Sequence, residues 1–330
     1  MGRLGHFDGS AIRIDMNPSS ENDTIAVVIP VYNGAGFLRA TLDSVLGQSV
    51  QPTEIIVVDD GSRDESAQIT ASYGEKVRTI HQENRGQASA RNTGARAARS
   101  TWIALLDQDD LCLPERLRKT LDAARAAPSA RWIYSDYLRC RPTDPAGTYV
   151  TVPGPESLAK VFRYQCPIMP SFSTIRRDTL LEIGGFDERP EMIGVDDHDL
   201  LLRFMRRHGA TTFHRVPEAL VRYQLHDSNF SSNIQKHYAG RTALLSTQLD
   251  DLSGVRRFYW KRLLRAQLYY DMAILMREQG IADHLRPALL SLALWPFPHR
   301  AICSARYKAS LHMLLAHSGL WQKSKCDRLL

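Results

Sequence analysis

Apolar and polar positions in the first half of this chain come in blocks that alternate between two periods. Ile25-Ala-Val-Val-Ile-Pro30 is a continuous apolar run ending at a turn, the pattern of a strand buried on both faces. Between Gly34 and Gly47 the spacing becomes helical, with Phe37, Leu38, Leu42, Val45 and Leu46 on one side. Glu54-Ile-Ile-Val-Val-Asp59 predicts a second buried strand, closed by Asp60-Gly61-Ser62, and Asp64 then caps a helix to about Tyr73. Val77–His81 reads as a third strand, the Ala-rich segment Gln87–Arg99 as a helix and Trp102–Leu106 as a fourth strand. Strand and helix in such regular alternation predict an open α/β sheet with helices on both faces. Ligands of such sheets bind at the carboxyl ends of the strands.

Beyond Pro114 the pattern loosens. It predicts a helix to about Ala127, a strand at Trp132–Asp136, and a loop over Arg141–Glu156, which is rich in Pro, Gly and Thr. Ser171–Ile175 reads as a strand, Gly184-Gly185-Phe186-Asp187 as a flexible loop, and about Asp196 to His208 as a helix. Thr211–His214 and Ala219–Gln224 read as two further short strands. From about Gln235 the reading is helical and amphipathic, with a break around Trp295-Pro-Phe-Pro298. The expected layout is a flexible N-terminal segment (1–23), an α/β domain (24–234, in halves of about 24–115 and 116–234) and a helical C-terminal extension (235–330).

Composition narrows the class. The chain has 330 residues, 43% hydrophobic and 24% charged, as ordinary soluble globular proteins have. Its five cysteines are scattered, with no CxxC or Cys/His cluster to suggest zinc, which fits a reduced, cytoplasmic setting. Met1–Asn22 is polar and lacks a signal-peptide core, and no apolar run is long enough to cross a bilayer. Neither Gly2 (with His6 four residues on) nor Cys326 fits a lipidation signal. Net charge is +6, unevenly placed: Gly254–Leu330 carries 13 Lys/Arg against 4 Asp/Glu, or +9, leaving −3 for the rest. Basic residues interleaved with apolar ones suit docking on an anionic membrane surface better than nucleic acid, which is not an expected partner. The expected location is cytoplasmic, on the inner face of the cell membrane.

The chemistry concentrates in Leu105-Leu-Asp107-Gln-Asp109-Asp110, three carboxylates in four residues at the end of a buried strand. Unpaired buried carboxylates are costly, whereas a divalent cation (Mn²⁺ or Mg²⁺) that accepts oxygen ligands and phosphate would account for them. A solvated acidic turn is the plainer alternative. Asp59-Asp60 ends the second strand, where a carboxylate can accept from a base N–H or a ribose hydroxyl, or simply cap a helix. In Asn84-Arg85-Gly86-Gln-Ala-Ser-Ala-Arg91-Asn-Thr-Gly94, Gly86 permits close backbone approach, and Arg91 offers a forked donor to phosphate or to nearby aspartates. Asp196-Asp197-His198-Asp199 opens a helix. Asp199 and Arg203 are spaced as a structural ion pair, leaving Asp196 or Asp197 as a general base. His226 lies in a polar loop and is either a surface residue or an added metal ligand.

Taken in order, Val28-Ile-Pro-Val-Tyr-Asn33, Ile56-Val-Val-Asp-Asp-Gly-Ser62, Asn84 to Gly94, Leu106–Asp110, Gly184–Asp187 and Asp196–Asp199 resemble the family 2 glycosyltransferases over roughly residues 24–232. The resemblance implies a GT-A fold, with a Rossmann-like nucleotide-binding sheet, and an inverting transfer of a sugar from a nucleotide-sugar donor, UDP being the commonest carrier, to a hydroxyl on a glycan or lipid-linked acceptor. It places Pro30, Val31, Tyr32 and Asp60 around the base and Gly86 and Arg91 at the nucleotide diphosphate. Asp109 falls near the ribose or metal, and Asp110 with His226 on the metal. Gly185 and Phe186 would shape the acceptor site, and Asp197 would be the base, with Asp196 beside it. The family usually has Glu-Asp where this chain has Asp196-Asp197. The helical extension looks like those that dock such enzymes on membranes near lipid-linked acceptors.

Two other classes compete. Gly34-Ala-Gly36 after the first strand and an acid after the second could open an NAD-dependent Rossmann oxidoreductase, but Arg39 stands in the place of the third glycine. A nucleotide-binding module without turnover would keep the fold, though every acidic motif is present. A P-loop enzyme is excluded by the absence of a Gly-Lys-Ser/Thr signature.

Overall fold

The computed structural model describes residues 23–155, 161, 168–226, 234–249, 253–278 and 280–295. The expected N-terminal segment, apart from Asp23, and the chain beyond Trp295 lie outside the described residues.

One sheet organises the molecule. Strands β1 (Ile25–Val31), β2 (Glu54–Asp59), β3 (Arg78–His81) and β4 (Trp102–Leu105) alternate with helices α1 (Ala35–Leu46), α2 (Ser66–Ala71) and α3 (Gln87–Ala97). These four strands are parallel, in the order β3-β2-β1-β4. Every residue of β1 is buried, as its unbroken apolar run requires. Its side chains alternate between two cores. Ala26 and Val28 face one with Ala90 and Ala95 of α3, and Ile25, Val27, Ile29 and Val31 face the other with Leu38, Leu42 and Val45 of α1. Gly94 lets α3 sit close on this sheet, because a Cβ there would lie 2.3 Å from Val28 Cγ1.

Beyond β4 the sheet is mixed, not all parallel. Short β5 (Leu111–Cys112), α4 (Arg116–Ala126), β6 (Trp132–Arg141), β7 (Asp144–Val150), β8 (Ser173–Arg176), α5 (Arg177–Glu182), α6 (Asp196–His208) and β9 (Phe213–Gln224) follow. The sheet continues β4-β8-β6-β9-β5, with β8 antiparallel to both β4 and β6, and β6 parallel to β9.

Three expectations are corrected here. Residues 144–150, read as loop, form edge strand β7 on β6, where Pro145 is tolerated because an edge strand need not donate from every residue. The two short strands expected over 211–224 are the single strand β9. Its register against β6 shifts where Pro217 stands, since Val216 pairs with Ser135 but Ala219 with Asp136. Helix α2 stops at Ala71, short of Tyr73.

The C-terminal extension is three helices, α7 (Ile234–Gln248), α8 (Gly254–Glu278) and α9 (Leu285–Leu294). Helix α7 packs directly on the segment leading into α6: Gly240 leaves room for Ile193 O, 3.1 Å from where its Cβ would stand. Among the described residues no helix is long and apolar enough to cross a membrane.

Candidate active site

The polar motifs gather at the carboxyl ends of β1, β2 and β4, joined by the first turns of α3 and α6. Pro30 and Val31, expected around a base, are buried within β1. Tyr32 is 45% exposed and presents the ring there. Its backbone is paired both ways with Gln108: Tyr32 N donates to Gln108 Oε1 at 2.9 Å, and Gln108 Nε2 donates to Tyr32 O at 3.3 Å.

Asp60 is buried and shapes the loop that follows β3. Its Oδ1 accepts from Gln82 Nε2 at 2.7 Å and Arg85 N at 2.9 Å, and its Oδ2 accepts from Gly86 N at 2.8 Å. One acceptor position on Oδ2 remains for a ligand donor. Gly86 has φ +88°, a left-handed conformation that fits glycine, and it delivers the chain into α3.

Arg91 is the centre of the site. Nη1 donates to Asp196 Oδ2 at 3.0 Å and Nη2 to Asp107 Oδ1 at 2.6 Å, while the guanidinium lies 5.3 Å from the Phe186 ring centroid. Although the side chain is buried, the two carboxylates hold its pKa above the ordinary arginine value. Of the two alternatives raised by the sequence, the geometry shows the pairing with nearby aspartates. Arg91 is a structural ion-pair partner, and the pairs it makes join the first acidic motif to the second.

Within the first motif the three aspartates diverge. Asp107 is partly exposed and bound to Arg91. Asp109 is also partly exposed and faces His226, with Nε2 2.8 Å from Oδ2, and the imidazole stacks on Phe37 at 4.6 Å. Burial, and then the charge of Asp107, raise the Asp109 pKa. Asp110, expected on a metal, is fully buried (0% exposed). Its Oδ1 accepts from the Gln224 backbone at 2.9 Å, and Oδ2 has no hydrogen-bond partner. Burial, with Asp109 and Asp107 nearby, pushes its pKa well up. Tyr223 is raised too, by burial and by all three aspartates.

The concentrated negative charge and the partly exposed Asp109–His226 pair are a donor set whose chemistry suits Mn²⁺ or Mg²⁺. Among the described residues, no group of three or more His, Cys, Asp or Glu side chains forms a ready-made cage.

The second motif starts α6. Asp196 is buried and held by Arg91 and by Gln87 Nε2 at 3.2 Å. Asp197 is only partly buried, and its Oδ1 accepts the next backbone N–H, that of His198, at 2.7 Å. Burial among neighbouring side chains and the adjacent Asp196 push its pKa up to about 7. Asp199 forms the expected ion pair with Arg203, at 2.6 Å.

The loop Gly184–Asp187 is locked against α3. Asn92 Nδ2 donates to Phe186 O and its Oδ1 accepts from Phe186 N, both at 2.8 Å. Gly185, at φ +70°, leaves the space that Asn92 fills: a Cβ there would lie 2.3 Å from Asn92 Oδ1. Arg203 holds the same loop through Ile183 O at 2.7 Å and Gly185 O at 2.6 Å. The sequence reading did not single out Gln87, Asn92, Gln108 or Gln224. A polar amide facing inward from an Ala-rich helix, as Asn92 does, needs a partner, and that was the signal available.

This sheet, with acidic residues at the end of β4 and a second acidic group at the start of α6, has the GT-A fold of sugar transferases. Residues 26–181, just under half of the chain, match the sequence profile described as "Glycosyl transferase family 2". An uncharacterized glycosyltransferase of Rickettsia typhi, RT0329, is 28% identical over 83% of this chain and 86% of its own length. The chain spans only 34–38% of the length of the glycosyltransferases it matches in Rickettsia felis, Rickettsia bellii and Rickettsia conorii. Staphylococcus aureus TarS 1–349, solved with UDP-GlcNAc, shares the fold at TM-score 0.59 and 16% identity, covering 91% of this chain and 93% of that one. The mannosyltransferase PcManGT of Pyrobaculum calidifontis, solved with GDP-Man and Mn²⁺, does so at TM-score 0.57 and 18% identity, over 94% and 91%.

Proposed function

We propose that residues 24–234 form the catalytic domain of an inverting hexosyltransferase, with a donor half (about 24–115) and an acceptor half (about 116–234). It moves a sugar from a UDP-sugar to a hydroxyl on a glycan or lipid-linked acceptor. The observation that carries this reading is the contrast between the two acids that open α6. Asp196 is immobilised by Arg91 and Gln87, while Asp197 is accessible and titrates near neutrality. A base with a pKa near the working pH is well matched to accepting a hydroxyl proton.

In this mechanism Tyr32 covers the base and Asp60 accepts from it. Asp109 and His226 hold a divalent cation, Mn²⁺ or Mg²⁺, which when bound supplies Lewis-acid neutralisation of the donor diphosphate. Arg91 keeps Asp107 and Asp196 in register and places its positive charge beside the departing diphosphate. The loop carrying Gly185 and Phe186 positions the acceptor. Asp197 takes the acceptor hydroxyl proton as that oxygen bonds to the anomeric carbon. The bond from that carbon to the diphosphate oxygen breaks in the same step, nucleoside diphosphate leaves, and the anomeric configuration inverts. Solved neighbours hold UDP-GlcNAc in one case and GDP-Man with Mn²⁺ in another, so both carriers and the cation are the natural probes.

The test is calorimetric binding of UDP and GDP, with and without Mn²⁺, to the wild-type chain and to Asp109→Asn. Metal-dependent UDP binding that the variant loses supports the reading. GDP binding without UDP binding would change the carrier. If neither nucleotide binds but NADH does, the transferase reading fails in favour of a dinucleotide enzyme.

A further inference from the structure

Three aromatic rings line the sheet beside the acidic turn, and none has a part in the transfer described above. Tyr137 of β6 stacks face to face on Phe172, with centroids 4.8 Å apart and planes within 5°, and Tyr223 of β9 stands edge-on to Tyr137 at 5.8 Å and 77°. The two tyrosines share one face of the sheet, because Tyr137 pairs with Val221 and Tyr223 follows two residues on. That face is the one covered by α3 and α6, since Tyr137, Val221 and Phe172 share a core with Ala90 and Leu200. The aromatic row is fastened to the acidic turn at two points. Ser171 Oγ, next to Phe172, accepts from Asp107 N at 3.0 Å, and Gln224 N, next to Tyr223, donates to Asp110 Oδ1 at 2.9 Å. Phe172 is buried, whereas Tyr137 and Tyr223 are partly exposed. A tyrosine hydroxyl packed in a core ordinarily finds a protein partner. Among the described residues Tyr223 Oη has none, and the charges of all three aspartates act on it.

We propose that Tyr137 and Tyr223, backed by Phe172, form the subsite for the transferred sugar, a pyranose: the rings carry one of its C–H faces, and Tyr223 Oη donates to one of its hydroxyls. This assignment rests on the transferase reading and adds to it the seat of the group being moved. The order of strands supports it. The proposed base contacts Tyr32 and Asp60 follow β1 and β2, the proposed cation and diphosphate residues follow β4, and outward from β4 the sheet runs β8, β6, β9. In a nucleotide-sugar the sugar is bonded directly to the terminal phosphate, so the next part of the ligand falls beside the next part of the sheet. A pyranose pairs a polar rim with apolar C–H faces, and the partial positive charge of those hydrogens suits the negative face of an aromatic ring. Stacking on Phe172 fixes the Tyr137 ring in advance, so little freedom is lost when a ligand arrives. Both tyrosines set specificity, and neither takes the proton.

The test is calorimetric titration of UDP against UDP-GlcNAc, and of GDP against GDP-Man, with Mn²⁺ present, into the full wild-type chain and into Tyr223→Phe, Tyr223→Leu, Tyr137→Phe and Tyr137→Leu. The nucleotide without its sugar controls for the fold and for the base and diphosphate contacts. For the carrier that binds, the ratio of sugar-nucleotide affinity to nucleotide affinity is expected to fall about threefold to tenfold in Tyr223→Phe, which loses one hydrogen bond. It is expected to fall about tenfold or more in Tyr223→Leu and Tyr137→Leu, which each lose a ring. Tyr137→Phe keeps its ring and should stay within about twofold of the wild-type ratio, and affinity for the nucleotide alone should change by less than about twofold in all four variants. Nucleotide binding that persists with an unchanged ratio in both leucine variants overturns the subsite and leaves the transferase reading standing. Equal loss of nucleotide and sugar-nucleotide binding makes the rings structural and overturns it as well. A wild-type chain that binds neither nucleotide overturns the subsite and the transferase reading together.

Discussion

Arg91 and Asp196 are 105 residues apart in sequence and 3.0 Å apart in space, both buried, and the same guanidinium reaches Asp107 at 2.6 Å. This three-residue bridge fixes the start of α6 relative to the end of β4. Removing one partner of a buried ion pair leaves uncompensated charge and typically costs about 3–5 kcal/mol. Arg91→Met is therefore expected to lower the unfolding free energy by about that amount in urea titrations. Arg91→Lys, a point charge without a fork, should recover only part of it. A variant as stable as the wild type would mean that the bridge contributes no net stability.

The raised pKa of Asp197 makes a prediction with two readouts. Its carboxyl must be ionised to take a proton, so kcat/KM is expected to rise with pH through an acid limb centred near 7. Asp197→Asn should remove that limb and lower kcat by about 10²- to 10⁴-fold. Stability moves the opposite way. The folded state retains a proton that the unfolded chain releases near pH 4, so this contribution is fully present below that pH and is lost as pH rises through about 7. Asp197→Asn should therefore melt above the wild type at pH 8, and the difference should shrink towards pH 5. A wild-type midpoint that never falls below the variant's would contradict the raised pKa.

What the sequence made legible follows from the range of the interactions concerned. The boundaries of α6, Asp196–His208, and the four parallel strands were readable because local periodicity determines them. The Asp199–Arg203 pair was readable because it spans one helical turn. Edge strand β7 was not, because its pairing with β6 outweighs the turn-forming preference of Pro145 and Gly147. Continuity of β9 through Pro217 likewise depends on its partner strand. In the site, the residue types were legible but their burial was not. Three adjacent carboxylates look equivalent in sequence, and only the fold turns Asp110 inward to the Gln224 backbone while leaving Asp109 facing His226.

That inequality can be measured. Asp109→Asn and His226→Ala are each expected to weaken Mn²⁺ binding in the presence of UDP by about tenfold or more, because each removes an atom of the proposed ligand set. Asp110→Asn keeps an oxygen for the Gln224 N–H and is expected to change Mn²⁺ affinity by less than about threefold, a level at which indirect effects dominate. Electron paramagnetic resonance of free Mn²⁺ reads all three. If Asp110→Asn alone abolishes binding, the buried carboxylate must turn outward to the metal, as the sequence resemblance implies.

The loop proposed to position the acceptor offers a test of packing. Gly185→Ala would place a methyl group against Asn92 and demand a left-handed conformation from a residue that disfavours it. The loop must shift, so the variant is expected to lose about 1–3 kcal/mol of stability and to raise the acceptor KM more than the donor KM. Equal changes in both constants would show that the loop does not face the acceptor.

Finally, α7 reaches the same loop through a buried relay. Gln248 Nε2 donates to Asp199 Oδ1 at 2.7 Å, Asp199 Oδ2 accepts from Arg203 Nε at 2.6 Å, and Arg203 holds the carbonyls of Ile183 and Gly185. Gln248→Leu strips one donor from a buried carboxylate and is expected to cost about 1–3 kcal/mol. Because Arg203 then carries the Asp199 charge alone, its hold on the loop should loosen, raising the acceptor KM while kcat changes little. Gln248→Asn, one methylene shorter, should recover less than half of the loss. An unchanged acceptor KM in Gln248→Leu, with the stability loss present, would confine α7 to a structural role and separate the helical extension from the chemistry of the cleft.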